Sequence, residues 1–157
     1  MEPVKEIHSE SGLYAQHRTD LVRYASWVAG PDDAADVVSD AMESLLRSGQ
    51  LADAENPGAL MHRAVLAKAK SMQRSVFRRR ARERRFAERW VHEEPGVRSD
   101  VVEAVVRLSP QQRACVYLTY WEDLTPPKVA EYLGIGDGTV KLHLARARSK
   151  LREVLDG

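Results

Sequence analysis

The sequence predicts an all-α protein built as two small helical domains joined by a linker. Apolar residues recur at helical spacing along most of the 157 positions. Proline and glycine fall between these periodic segments rather than inside them, and aromatic residues, which favour strands, are only 6% of the chain. No apolar run approaches the ~20 residues that span a bilayer. No basic-then-apolar leader opens the chain, so a cytoplasmic protein without membrane insertion is expected.

Leu13 to Val28 forms the first predicted helix, closed by Gly30-Pro31, a C-terminal glycine followed by a residue that cannot continue a helix. Asp32 suits the N-cap of a second helix, "DAADVVSDAMESLLRSG". Asp33, Asp36 and Asp40 then share one face at i, i+3 and i+7, with Val38, Ala41, Met42 and Leu45 on the other. Asn56-Pro57 opens a third, long helix through "ALMHRAVLAKAKSMQRSVFRRRARERRF", uninterrupted by proline or glycine after Gly58. Around "ERWVHEEPGVRSD" the period fades and a Pro-Gly pair appears. Residues 88–100 are therefore read as a linker between a first domain at 10–87 and a second at 101–157.

The second domain starts with "VVEAVVRL" and then "SPQQ", in which Ser109 is an N-cap, Pro110 takes N1 and Gln112 stands at N3, a capping box. Thr125 is the next cap, with Pro126 and Pro127 in the first turn, where a missing N–H costs little. From there "PPKVAEYLG" turns Val129, Ala130 and Leu133 inward. Gly134 makes a sharp exit, Ile135 plugs the corner, and "GDG" starts another helix. In that helix Val140, Leu144, Ala147 and Leu151 form the buried stripe. Lys141, Leu142, Ala145 and Arg148 face outward, flanked by Thr139 and Arg146. Two helices around a tight glycine turn, the second with a small and basic outer face, describe a helix-turn-helix that can enter a DNA major groove. An ordinary helical hairpin with a solvated basic face is the plainer reading.

Charge is unevenly placed. Residues 1–59 hold four Lys/Arg against eleven Asp/Glu, residues 60–95 eleven against four, and residues 96–157 nine against eight. Adjacent blocks of opposite sign fit either two partners of opposite charge or neutralisation of one block by the other. The run "RSVFRRRARERRF", with Arg78, Arg79 and Arg80, tracks a phosphate backbone or else extends a solvated helix with Glu83 and Glu88 as local partners. Asp33, Asp36, Asp40 and Glu43 present an acidic face suited to a basic partner, since no second carboxylate motif completes a Mg²⁺ site. Enzyme chemistry finds no support. Five histidines are scattered, Cys115 sits in the apolar "RACVYLTY", and "GIGDG" lacks both the preceding strand and the lysine of a phosphate loop. Neither a metal nor a cofactor is expected.

The stretch "LSPQQRACVYLTYWEDLTPPKVAEYLGIGDGTVKLHLARARSKLREVL" resembles region four of bacterial RNA polymerase sigma factors, above all the small extracytoplasmic-function group. Ala130, Leu133, Gly134, Ile135, Gly138, Thr139, Val140, Lys141, Arg146, Ala147, Arg148 and Leu151 carry the resemblance. "DDAADVVSDAMESLL" resembles the family's polymerase-binding helix, with Asp36 and Asp40 in place but Ser39 where Gln is usual and Met42 where Phe is usual. "ENPGALMHRAVLAKAKSMQRSVFRRRARER" is similar to the helix that reads and melts the minus-ten element. There Leu60 replaces a tryptophan, Ala67 an asparagine and Ser71 an aspartate. His62 stands where a tyrosine is usual, with a ring able to stack on a base or to sit on the helix surface.

The resemblance implies a sigma factor whose partners are core RNA polymerase, promoter DNA and an anti-sigma factor. Asp33, Asp36, Ser39, Asp40 and Glu43 would grip the polymerase. Arg63, Lys68, Lys70 and Arg74 would contact the minus-ten element. Thr139, Lys141, Leu142, His143, Ala145 and Arg146 would read the minus-thirty-five element, with Leu142 against a thymine methyl, and Arg113 and Lys128 would hold phosphates. The missing aromatics on the third helix imply an altered minus-ten preference or dependence on another factor, because stacking holds melted bases. A sigma-like DNA-binding regulator, or an adaptor working by protein contact without promoter melting, is the alternative.

Overall fold

A computed structural model describes residues 10–72 and 99–156, and no strand occurs among them. Helix α1, Glu10–Ala29, ends where Gly30 takes φ 95° and donates its N–H to the Ser26 carbonyl at 2.9 Å. It starts three residues before the predicted Leu13. Helix α2, Ala34–Ser48, is capped one residue later than expected, at Asp33 rather than Asp32, and the Asp33 side chain makes no capping bond. Its C-cap, Gly49, adopts the left-handed conformation. Helix α3, Pro57–Met72, is capped by Asn56, whose Oδ1 accepts the Ala59 N–H at 3.1 Å. The predicted continuation of this helix and residues 88–98 of the linker lie outside the described residues.

Helix α4, Ser99–Val106, begins inside the predicted linker. Helix α5, Pro110–Val116, carries the predicted capping box in full: Ser109 Oγ accepts the Gln112 N–H at 3.2 Å, and Gln112 Oε1 accepts the Ser109 N–H at 3.1 Å. It then widens into a π-helical turn at Tyr117–Trp121, closed by Glu122 N–H donating to the Tyr117 carbonyl at 3.2 Å. The wider turn keeps both Tyr117 and Leu118 in the core and leaves Tyr120 and Trp121 at the surface. Helices α6, Pro126–Leu133, and α7, Asp137–Asp156, complete the chain.

One apolar core runs through both halves. Leu21, Tyr24 and Val28 of α1, Val37 and Met42 of α2, and Met61 and Val65 of α3 pack in one cluster with Cys115, Leu118, Val129, Leu133, Val140 and Leu144 from the C-terminal half. Trp27 joins this cluster to a smaller one of Val102, Val105 and Val106 on α4. The sequence pattern marks which residues are buried within each helix, but it does not reveal that the halves bury surface against each other.

Candidate nucleic-acid interface

The helix-turn-helix is built by α6 and α7. Thr125 is extended at the N-cap, and Pro126 follows in the first turn, as the sequence suggests, although the Thr125 hydroxyl makes no capping bond. Gly134 adopts φ 68°, a conformation that any side chain would strain, and its N–H returns to the Ala130 carbonyl. Ile135 also donates to Ala130, at 3.1 Å, and packs half-buried in the corner. Val140, Leu144 and Ala147 are buried beneath α7, whereas Leu151, expected in the same stripe, is only half-buried near the helix end.

This registry leaves Thr139, Lys141, Leu142, Ala145 and Arg146 on an exposed face, with Leu142 47% exposed despite being apolar. His143 turns to the flank of α7. It is half-buried, and its Nδ1 is enclosed without a hydrogen-bond partner among the described residues. Desolvation, and then the neighbouring charges of Arg146 and Lys70, hold its pKa below the usual histidine value. Arg148 donates to the Tyr120 hydroxyl at 3.0 and 3.1 Å, and Lys150 reaches Gln112 Oε1 at 3.0 Å, tying α7 back to α5 and its π turn. Lys128 is exposed and pairs with Glu131 at 3.4 Å.

Arg113 is a correction to the sequence reading. Its expected role is to hold a phosphate, yet it is 3% exposed. Its Nε donates to the carbonyls of Val105 and Leu108, its Nη2 to Val106, and its Nη1 to Val28. These carbonyls include last-turn groups of α1 and α4, where a cation satisfies unpaired oxygens and opposes the helix dipole.

In the N-terminal half, Asp36, Ser39, Asp40 and Glu43 lie exposed along α2, with Asp33 half-exposed at its cap. Lys68 of α3 bridges to Asp40 at 3.5 Å, so the acidic and basic blocks meet here, and Arg47 pairs with Glu43. On α3, Arg63 donates from Nε to the Glu131 carbonyl at 2.8 Å, and Lys70 donates to Gln111 Oε1 at 3.1 Å. Arg74, Arg78, Arg79 and Arg80 lie outside the described residues.

His62 is a second correction. Far from offering a ring at the surface, it is 5% exposed, wedged between Tyr24 at 4.6 Å and Tyr132 at 5.0 Å between ring centroids. Its Nδ1 lies 2.7 Å from the Gly58 carbonyl, which fixes the proton on that nitrogen. Burial lowers its pKa, and the Gly58 hydrogen bond opposes that shift. Cys115 is buried with its thiol pushed up to about 12 by desolvation, and it packs in the core as the sequence suggests. Asn56, Glu131, Tyr132 and Gln111, which join the halves, carry no local signal that marks them out.

A recognition helix with a basic, uncovered face, held by a left-handed glycine turn, defines a DNA-binding domain. Residues 98–151 match the family model described as Sigma-70, region 4. RNA polymerase sigma-E factor of Streptomyces antibioticus is 41% identical over 59 residues, 38% of this chain and 33% of that protein. Sigma-E factor of Streptomyces coelicolor is 46% identical over 48 residues, 31% of this chain and 27% of that one. The matched segments thus span 33% and 27% of the length of these two curated relatives. Among solved structures, the sigma factor RpoE of Bartonella quintana, in complex with the anti-sigma factor NepR, matches with a TM-score of 0.59. That likeness covers 93% of this chain and 96% of that one at 20% identity, and shows a shared fold. Residues 98–151 are thus similar to sigma-70 region 4, and the chain shares its fold with the solved sigma factor structure.

Proposed function

We propose that the chain is a sigma factor that binds core RNA polymerase and directs promoter-specific transcription initiation. The supporting observation is the uncovered face of α7 inside the segment that matches region 4. Set in a major groove, Thr139 and Leu142 near the helix start reach base edges, Leu142 against a thymine methyl, while Lys141 and Arg146 reach guanine edges or phosphates. The exposed carboxylates of Asp36, Asp40 and Glu43 suit a basic docking surface on the polymerase. Arg63, Lys68 and Lys70 on α3, with the arginines that follow, serve the minus-ten element in this reading. The protein acts by binding, in the cytoplasm, without catalysis or cofactor; no helix among the described residues is long and apolar enough to cross a membrane. The solved neighbour is bound to an anti-sigma factor, and we extend that class of partner to this chain.

A second reading, a sigma-like regulator or adaptor that does not melt promoters, draws on α3. Leu60 is half-buried, Ala67 is exposed but has no ring, and His62 is closed into the core, so the described part of α3 offers no aromatic platform to an unstacked base. Co-purification with core RNA polymerase separates the two. The sigma-factor reading expects a stable complex that Asp36→Lys with Asp40→Lys weakens at least about tenfold, and absence of any complex would overturn it.

A further inference from the structure

We propose that Tyr120 and Arg148 form a phosphate clamp on promoter DNA, a contact outside the recognition face described above. The clamp rests on the reading of α7 as a DNA-binding helix and extends its footprint. Arg148 donates from Nε and Nη2 to one acceptor, the Tyr120 hydroxyl, at 3.1 and 3.0 Å. Both bonds fall on the lone pairs of that oxygen, so the phenolic hydrogen points away from the guanidinium, towards an outside acceptor. The guanidinium keeps its remaining N–H groups for the same acceptor. The pair therefore presents donors only, beside a positive charge. That suits the anionic oxygens of a phosphodiester rather than the mixed donors and acceptors of a base edge.

Placement agrees with this chemistry. Lys141, Ala145 and Arg148 lie at i, i+4 and i+7 of α7 and are all exposed, hence along one outer side of the helix. Arg148 stands about 10 Å further along the axis than Lys141. A major groove is only about 12 Å wide, so with the start of α7 in the groove, Arg148 meets the backbone at its wall. Ala145, between them, is small enough to let the strand approach. Tyr120 reaches the same place from another element. The π turn at Tyr117–Trp121 keeps Tyr117 and Leu118 in the core and leaves Tyr120 61% exposed.

Holding the fold together does not account for the pair. Buried Val140, Leu144 and Ala147, with the Lys150–Gln112 bond, already fix α7, and a hydrogen bond between two exposed side chains adds little. No carboxylate among the described residues pairs with Arg148, so its charge is uncompensated. A fork held in advance lowers the ordering cost of gripping a phosphate.

Fluorescence anisotropy across a salt series tests the clamp, with the full chain and a fluorescein-labelled duplex selected from a randomised pool by that chain. Arg148→Ala should lower the slope of log affinity against log salt by about 0.9. Arg148→Lys should restore the slope but not the affinity, because an ammonium lacks the fork. Tyr120→Phe, which keeps the ring, should weaken binding at least about threefold and lose that effect in the Arg148→Ala background. Neutral methylphosphonates placed one at a time along the duplex should reveal one position to which the wild type is sensitive and Arg148→Ala is not. Lys141→Ala should stay sensitive there. An unchanged slope in Arg148→Ala, as a purely structural pair would give, overturns the clamp. So does an affinity within about twofold of wild type for Tyr120→Phe, or a defect confined to complex formation with core RNA polymerase. If the pool yields no bound duplex, or if Lys141→Ala with Arg146→Ala binds as well as wild type, the DNA-binding reading of α7 falls first and the clamp with it.

Discussion

Arg113 donates from Nη1 to the Val28 carbonyl at 3.1 Å, joining residues 85 positions apart. With its bonds to Val105, Val106 and Leu108, one buried guanidinium collects carbonyls from both halves of the chain. No hydrocarbon side chain can replace it, because several main-chain oxygens would lose their donor in a dry environment.

Arg113→Ala should therefore destabilise the fold by about 3 kcal/mol or more, the scale for losing hydrogen bonds to a buried charge. Arg113→Lys should recover less than half of that, since an ammonium lacks the planar fork that spans diverging acceptors. Urea unfolding followed by circular dichroism measures both. A loss below ~1 kcal/mol for the alanine variant would show that Arg113 is not a structural keystone.

The two caps of the C-terminal half make a matched pair. Ser109 makes both bonds of its capping box, and Thr125 makes no side-chain capping bond. Ser109→Ala should cost about 1 kcal/mol and Thr125→Ala less than ~0.5 kcal/mol. Equal losses on thermal or urea unfolding would contradict this assignment.

Stability should fall on acidification through His62. Its folded-state pKa lies below the ordinary 6.5, so the unfolded chain binds the proton more readily. The stabilisation is complete above pH 6.5 and declines as pH drops from there towards the depressed folded value. Tyr24 and Tyr132 pack on the ring, and His17 opposes its protonation while Asp20 favours it. His62→Phe should flatten the acid slope of urea stability without abolishing it, because His143 is shifted in the same direction. An unchanged slope would remove His62 as its source.

Lys141→Ala with Arg146→Ala should weaken binding to promoter DNA. The dependence of log affinity on log salt should fall by about 2, close to 0.9 for each phosphate deprived of its cation. Fluorescence anisotropy across a salt series tests it. Weaker affinity with no change of slope would place these side chains on bases rather than phosphates.

The legible parts of the fold are those in which local chemistry decides the outcome. Ser-Pro-Gln-Gln specifies a capping box, Gly134 a left-handed turn, and the spacing of Val140, Leu144 and Ala147 a buried stripe under α7. What escapes depends on elements distant in sequence. Arg113 reads as a surface cation until Val28 and the end of α4 come to lie around it. His62 follows the same logic, because its enclosing rings come from α1 and α6. The π turn at Tyr117–Trp121 has no periodic signature, since it inserts one residue into an otherwise helical spacing. At the candidate interface, the pattern finds the outward face of α7 but not the half-burial of His143 on its flank, close enough to Arg146 and Lys70 to feel their charge.

Run-off transcription with purified core RNA polymerase and a genomic promoter pool tests the central claim most directly. The account predicts discrete transcripts that require the chain, shift or disappear with Lys141→Ala and Arg146→Ala, and fall with Asp36→Lys and Asp40→Lys. Transcription that ignores the chain, or promoter choice indifferent to the α7 substitutions, would contradict it.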